Sequence, residues 1–193
     1  MKYNKKILFR LNINKEHFEK YIILKEFNQK FNTNIEDFDI KELDLKEKDI
    51  GNEELNFLMK MEFKGLKKLN LSSNIISDIN ILEKSNFKEL NKLDLSWDGI
   101  SNINVLEKAN FKELKDLYLN WNEISDINVL EKVNFKELKE LYLNNNKISD
   151  INVLEKVNFK QLNKLYLSYN TISDINVLEK VNFKNLKVLY LIQ

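Results

Sequence analysis

The sequence predicts an α/β solenoid, with a curved parallel β-sheet on its concave face and short helical turns on its convex face. A motif of 24 residues recurs along most of the chain, and repeats of roughly 20–50 residues are typical of solenoids. Within each copy, apolar and polar residues alternate as they do in a strand with one buried face. The chain of 193 residues has room for such an array and for a cap at its N-terminal end.

The repeat is most regular between residues 66 and 185. The last full unit runs from Leu162 to Asn185 and reads LNKLYLSYNTISDINVLEKVNFKN. A looser unit starts at Ile40, and the chain ends inside a further partial unit. We therefore predict a repeat domain over residues 40–193, with units starting at residues 40, 66, 90, 114, 138, 162 and 186.

Each regular unit begins with a predicted strand, which is followed by a polar residue at a fixed position of the repeat. In one unit Leu69 and Leu71 alternate with polar residues, so a single face is buried. The ninth position holds Asn74, Asp98, Asn122, Asn146 and Asn170 in successive units. An amide there can donate to and accept from the backbone of neighbouring coils. Asp98 lacks the donor, so we expect its rung of this ladder to be the weakest.

The second half of each unit predicts a short helical turn on the convex face. Ile76, Ile79 and Leu82 follow one another at spacings of three residues, and Ser77 or Asp78 is placed to cap the start of the turn. A single coil has too little interior to bury these side chains. Neighbouring coils therefore bury them for each other.

Residues 1–39 depart from the repeat and predict an N-terminal cap made of a strand and a helix. Ile7, Phe9, Leu11 and Ile13 alternate like a strand. Asn14 is placed to cap a helix that runs to about residue 31. Because repeat arrays need their open ends covered, we expect this segment to cover the first coil.

The motif spacing L-x-x-L-x-L-x-x-N-x-I resembles that of the leucine-rich-repeat family, over roughly residues 40–193. The segment Ile-Ser-Asp-Ile at residues 124–127, 148–151 and 172–175 is similar to the short-coil subclass of internalins and phosphatase-regulatory repeat proteins. The resemblance implies the solenoid fold described above.

The composition excludes most catalytic and metal chemistry. The chain has no cysteine and one histidine, His17, so catalytic triads and zinc sites built from sulfur or several histidines lack their parts. Carboxylates recur at the repeat period, as in Glu107 and Glu131, which is typical of a solvated face and not of an acid/base pair. We predict a protein that is not an enzyme and that has no cofactor or metal site.

The units differ mainly at positions on the concave face. The fifth position becomes tyrosine in four successive units, and the eighth position holds Trp97, Trp121 and Tyr169. With strands about 4.8 Å apart, the tyrosines would form a ladder of rings. Exposed aromatic side chains are enriched at binding hot spots. The alternative is that these tyrosines have no binding role. Tyrosine is favoured in strands and its stacked rings can cover one another, and repeat duplication could have copied it from unit to unit.

These positions predict a module for protein–protein interaction on the concave face, with acids beside the aromatic anchors that adjust specificity. The predicted partner-binding residues are Trp97, Tyr118, Trp121, Tyr142, Tyr166, Tyr169, Asp116 and Glu140.

Two other functions use the same or neighbouring surfaces. The aromatic rings could stack on the bases of a single-stranded nucleic acid, although phosphates need a basic stripe and this face carries acids. The C-terminal strand, with Leu189, Leu191 and Ile192, has no polar cap after it. Either the natural protein continues or this edge assembles, for example as a homodimer.

The sequence also predicts a cytoplasmic location without membrane association. The apolar run at residues 7–9 stops at Arg10, short of a secretory signal core, and no apolar stretch approaches the length of a membrane span. The formal net charge of +1 provides no overall field for nucleic acid or an acidic membrane.

Overall fold

A computed structural model of the protein describes residues 14–192. The predicted strand at residues 7–13 lies outside the described residues. The chain divides into two compact units, Met1–Phe38 and Asp39–Gln193. The predicted domains place this boundary between residues 39 and 40.

Among its described residues, from residue 14 onward, the N-terminal unit has the helix α1 (Lys15–Phe31), whose ends are determined by asparagines. The side chain of Asn14 accepts a hydrogen bond from the Glu16 N–H at 2.8 Å, which satisfies one of the free donors of the first turn. The helix ends at Asn32 in the left-handed conformation, with φ of 48°. The predicted helix is thus confirmed. Its role as a cover for the first coil stays a prediction.

The second unit is a stack of coils, each contributing one short strand to a parallel sheet of seven strands in sequence order. Equivalent positions pair directly, as Leu43 does with Leu69 and Tyr142 with Tyr166. The predicted leucine-rich solenoid is confirmed. The strands are β1 (Glu42–Asp44), β2 (Lys68–Asn70), β3 (Lys92–Asp94), β4 (Asp116–Tyr118), β5 (Glu140–Tyr142), β6 (Lys164–Tyr166) and β7 (Val188–Tyr190).

Short helices lie on the convex side of the coils. The first coil has an α-helix, α2 (Asn52–Leu58), and the later ones have 3₁₀ turns capped by an aspartate or asparagine. Asp78 accepts from the Asn80 N–H at 2.8 Å, so Asp78 and not Ser77 caps the first of them. The 3₁₀ turns are Asn80–Lys84, Asn104–Glu107, Asn128–Glu131, Asn152–Glu155 and Asn176–Glu179.

The core lies between the sheet and these turns. Leu69 and Leu71 of the second coil, and Leu117 and Leu119 two coils later, are at most 1% exposed. Leu69 and Leu117 each lie beside the same position of the next coil, because they pair in register with Leu93 and Leu141. Burying an aliphatic side chain of this size contributes about 1.5–3 kcal/mol.

The ninth-position asparagines form the predicted hydrogen-bonded ladder. The Asn122 Oδ1 accepts from the Ile100 N–H at 3.0 Å, and its Nδ2 donates to the carbonyls of Leu95 at 2.8 Å and Leu119 at 3.2 Å. Asn74, Asn146 and Asn170 make equivalent bonds. The ladder satisfies backbone groups that stacking removes from water, and it holds the turn just before it in place.

Candidate functional site

The turn after each strand carries a row of residues with the same left-handed backbone. The turn row consists of Ser73, Trp97, Trp121, Asn145 and Tyr169, whose φ angles lie between 56° and 59°. Each N–H donates to a carbonyl of the following coil, as Trp121 does to Asn144 at 3.0 Å and Tyr169 to Ile192 at 2.8 Å. The repeat therefore presents the side chains of this row one coil apart.

Tryptophan is an unusual choice at these positions. The left-handed conformation costs an L-residue with a bulky side chain about 1–2 kcal/mol, and glycine and asparagine adopt it more readily. Trp97 and Trp121 are nevertheless 51% and 43% exposed. Their rings stack at 4.0 Å between centroids with an interplanar angle of 14°. Strained, half-exposed aromatic residues of this kind cluster at functional sites.

A second aromatic row runs along the sheet beside the turn row. The tyrosine ladder consists of Tyr118, Tyr142, Tyr166 and Tyr190, with centroids 4.4, 4.3 and 4.9 Å apart. The predicted stacking is therefore confirmed. Because the rings cover one another, part of their contribution goes to the sheet itself.

An ion pair with a hydrogen-bonded tyrosine occupies the middle of the concave face. Glu140 accepts from the Tyr142 hydroxyl at 2.9 Å and pairs with Lys164 at 2.8 Å. Burial raises the pKa of the Tyr142 hydroxyl, and the hydrogen bond to Glu140 raises it further. Burial by itself would raise the pKa of Glu140 as well, but the bonds from Lys164 and Tyr142 lower it below its ordinary value. Glu140 is thus a carboxylate whose negative charge is balanced by Lys164.

Asp116 differs from Glu140 although the two are neighbours in the sheet. Within residues 14–192, Asp116 has no hydrogen bond or ion pair to its carboxylate. Burial raises its pKa, and the charge of Glu140 adds to the increase, while three lysines oppose it. Asp116 therefore offers an unpaired acceptor beside the tyrosine ladder.

A cation already lies on one end of the tyrosine ladder. The Lys92 ammonium is 4.6 Å from the centroid of the Tyr118 ring, a distance at which the ring quadrupole attracts a positive charge. The face of this ladder is therefore suited to cations.

The tyrosine ladder and Tyr169 of the turn row line an open groove of about 480 Å³. Asn120 and Asn144, at the seventh position of their units, lie along it, and their carboxamides have no hydrogen-bond partner in the described part of the chain. The groove residues are Tyr118, Asn120, Tyr142, Asn144, Tyr166, Ser168, Tyr169, Tyr190 and Ile192.

All eight residues predicted from the sequence lie on the strands β4–β6 or in the turns after the strands. The structure gathers Tyr118, Tyr142, Tyr166 and Tyr169 at the groove and places Trp97 and Trp121 in the turn row. The sequence prediction missed Lys92, Asn120 and Asn144. The asparagines share one position of successive units, and that recurrence was the available signal.

Metal binding and membrane insertion have no support in the described residues. Among residues 14–192, no group of three or more His, Asp or Glu side chains is placed to hold a metal ion. In the same range, no helix combines the length and the apolar character that a membrane crossing needs.

The repeat is similar to repeats of known proteins. A family model described as leucine-rich repeats in two copies matches residues 112–156. The structure is similar to an internalin (inlF) from Listeria monocytogenes, with 30% identity over 70% of this chain and a TM-score of 0.56. The chain spans 36% of the length of that internalin. No curated protein matches the sequence significantly.

Two further solved structures match at lower identity. An internalin C2 (inlC2) from Listeria monocytogenes is 20% identical, with 88% of this chain and 92% of that one covered and a TM-score of 0.44. The structure titled PEPR1-AtPEP1 is 20% identical over 68% of this chain and 18% of that chain, with a TM-score of 0.52.

The parallel sheet, the asparagine ladder and the convex 3₁₀ turns define a repeat solenoid. Together with the family match, they make the chain a leucine-rich-repeat protein. Its assignment to the internalin-like or phosphatase-regulatory subclass stays a prediction.

If the role of Trp121 is to bind a partner, its replacement should lower the stability of the fold only slightly. We expect Trp121→Asn to change the free energy of unfolding by less than about 1 kcal/mol, since the relief of left-handed strain offsets the lost stack with Trp97. Denaturant unfolding measures this, with Leu119→Ala, at a fully buried position, expected to cost about 2–5 kcal/mol. A loss above about 2 kcal/mol for Trp121→Asn would make the ring a structural element.

Proposed function

We propose that the chain is a non-catalytic module that binds a protein partner on its concave face, along the groove of the tyrosine ladder and the exposed rings of the turn row. The observation that carries the proposal is the stacked, half-exposed pair of Trp97 and Trp121 in a strained backbone. Folding alone provides no reason to place tryptophan there, because Asn145 occupies the same turn with the same φ.

The charges of the concave face support a protein partner over a nucleic acid. The third and fifth positions of β1–β6 carry five acids and three lysines, although the whole chain has a net charge of +1. Phosphate recognition needs a basic stripe. These charged residues are Glu42, Asp44, Asp94, Asp116, Glu140, Lys68, Lys92 and Lys164.

Two predictions from the sequence enter this proposal unchanged. We propose a cytoplasmic location. We keep the C-terminal edge, where Leu189 and Ile192 are 38% and 60% exposed, as a second surface for assembly, including a homodimer.

Partner capture from the native source tests the concave face. The wild type is compared with a variant carrying Trp97→Asn, Trp121→Asn and Tyr142→Ala, after both are shown to be folded. We expect a specific partner to be lost from the variant, because hot-spot aromatics contribute most of the binding energy.

A convex variant provides the matched control. Lys132→Ala and Lys156→Ala remove exposed side chains that form only long ion pairs, at 4.0 and 3.6 Å, and should keep the partner. If the partner list is the same for all three proteins, the concave face is not the binding site. Capture that disappears steeply with rising salt would point to phosphates and nucleic acid instead.

A further inference from the structure

The turn row contains a gap that is one ring wide. Asn145 lies between Trp121 and Tyr169, and the three residues have φ angles of 56° to 58°. Their N–H groups make equivalent bonds to the next coil, at 2.8 to 3.0 Å. We call the space above Asn145, between Trp121 and Tyr169, the Asn145 slot.

The width of the Asn145 slot follows from the repeat. Parallel strands lie about 4.8 Å apart, so residues two coils apart are separated by roughly 9.6 Å. A planar group in the middle would lie about 4.8 Å from each flanking ring. Rings one coil apart in this protein stack at 4.0 to 4.9 Å. The slot therefore fits one planar group, which would continue the stack of Trp97 and Trp121.

The floor of the slot is polar and unpaired. Asn145 is half-buried, and its carboxamide has no hydrogen-bond partner within residues 14–192. The carboxamides of Asn120 and Asn144, along the groove that Tyr169 also lines, are likewise unpaired in that range. The Asn145 amide oxygen is thus available in the slot to a ligand with several N–H donors.

The charge around the slot favours a cation. On the concave face, Lys68 balances the charge of Glu42, and Lys164 balances that of Glu140. The carboxylate of Asp116 has no ion pair among the described residues. Elsewhere on the concave face, in the tyrosine ladder, the Lys92 ammonium lies over the Tyr118 ring. A planar cation with several donors is a guanidinium group, which stacks on aromatic faces and binds acceptors in its plane.

We propose that the Asn145 slot binds an arginine side chain of the partner protein, with its guanidinium stacked between Trp121 and Tyr169. This inference rests on the proposed function of the concave face and names the chemistry of the partner. Lysine would be a poor substitute because its ammonium is compact and not planar.

Filling the slot provides a test in which the fold is preserved. Asn145→Tyr places a fourth aromatic ring in the row, at a backbone conformation that Tyr169 already adopts. Ser73→Tyr adds the same side chain to the same type of turn, with φ of 57°, but away from the slot. The two variants are therefore matched in chemistry and in backbone cost.

The probes are octa-arginine and octa-lysine peptides, and the signal is the fluorescence of Trp97 and Trp121, the two tryptophans of the chain. We expect wild type and Ser73→Tyr to bind octa-arginine about tenfold more tightly than octa-lysine. Asn145→Tyr should bind both peptides with equal affinity. Equal affinities in the wild type, or a preference for arginine that survives in Asn145→Tyr, would overturn the proposal.

Two further outcomes separate this inference from the proposed function. If Asn145→Tyr still captures the native partner while the triple aromatic variant does not, the slot assignment is overturned and the concave face stands as the binding site. If arginine selectivity behaves as expected but the triple variant keeps its partners, the slot stands and the proposed function fails. Tighter binding of single-stranded octathymidylate than of octa-arginine would overturn the arginine assignment in favour of a nucleobase.

Discussion

Replacing Asn122 by alanine is expected to lower the free energy of unfolding by about 3 kcal/mol. Asn122 is 7% exposed, and its carboxamide forms hydrogen bonds to the backbone of Leu95, Ile100 and Leu119. Alanine leaves the Ile100 N–H and the Leu95 carbonyl buried without a partner, and each such group costs about 1–3 kcal/mol. Equilibrium unfolding in denaturant measures the difference from the wild type.

The matched control removes a side chain of the convex face. Lys132 is well exposed, and its nearest ion-pair contact is 4.0 Å from Glu107, so Lys132→Ala should leave the unfolding midpoint unchanged. Equal midpoints for the Asn122 and Lys132 variants would show that the ladder is not what stabilises the turns. The register of the repeat would then need another explanation.

The second large effect is expected at Asp98, which stands where the other regular coils have asparagine. Its Oδ1 accepts from the Ile76 N–H at 3.0 Å, but its buried Oδ2 has no hydrogen-bond partner among the described residues. Burial raises the pKa of Asp98 from 3.8 to about 7, against the lowering effect of backbone hydrogen bonds. The predicted weak rung of the ladder is therefore a carboxylate that costs free energy when it is charged.

The sign of the pH dependence follows from this increase. The folded state holds the Asp98 proton more tightly than the unfolded chain does. The loss of stability from a charged, buried Asp98 is therefore absent below about pH 4 and grows as the pH rises to about 7. Asp98→Asn should raise the free energy of unfolding by about 2 kcal/mol above pH 7. Near pH 4 the gain should be small. Unfolding curves at both pH values measure it.

Asp94→Asn provides the control for Asp98→Asn, because it makes the same chemical change on the same coil. Asp94 accepts from the Ser96 N–H and hydroxyl at 3.0 and 2.6 Å, and Asn70 already makes these bonds to Ser72 in the preceding coil. Its substitution should change stability little at either pH. A gain for Asp98→Asn that is the same at both pH values would contradict the raised pKa.

Asp98 also lies next to a residue of the candidate binding site. Asp98 directly follows Trp97, and its side chain accepts a hydrogen bond from the N–H of Ile76 in the preceding coil. The costly carboxylate and the strained tryptophan are therefore adjacent in one coil. Coil-by-coil stability in solenoids is a sum of local terms, so this coil is expected to be the least stable of the regular ones.

Much of the fold could be predicted from the sequence because its contacts repeat with the motif. The partner of Leu69 is Leu93, and the partner of Tyr118 is Tyr142, so the period alone identifies which residues meet. The bonds of Asn122 and the cap at Asn14 follow from short spacings as well. In each case the decisive interaction joins residues at a fixed separation along the chain.

The solenoid, the register of its strands, the asparagine ladder and the row of tyrosines could therefore be predicted from the repeat. The left-handed backbone at Trp97 and Trp121, the position of Lys92 over Tyr118 and the burial of the Asp98 carboxylate became apparent only in the folded structure. The physical reason is that these features depend on backbone angles, side-chain directions and solvent exclusion. Those are set by the packing of neighbouring coils, and a repeat period carries no information about them.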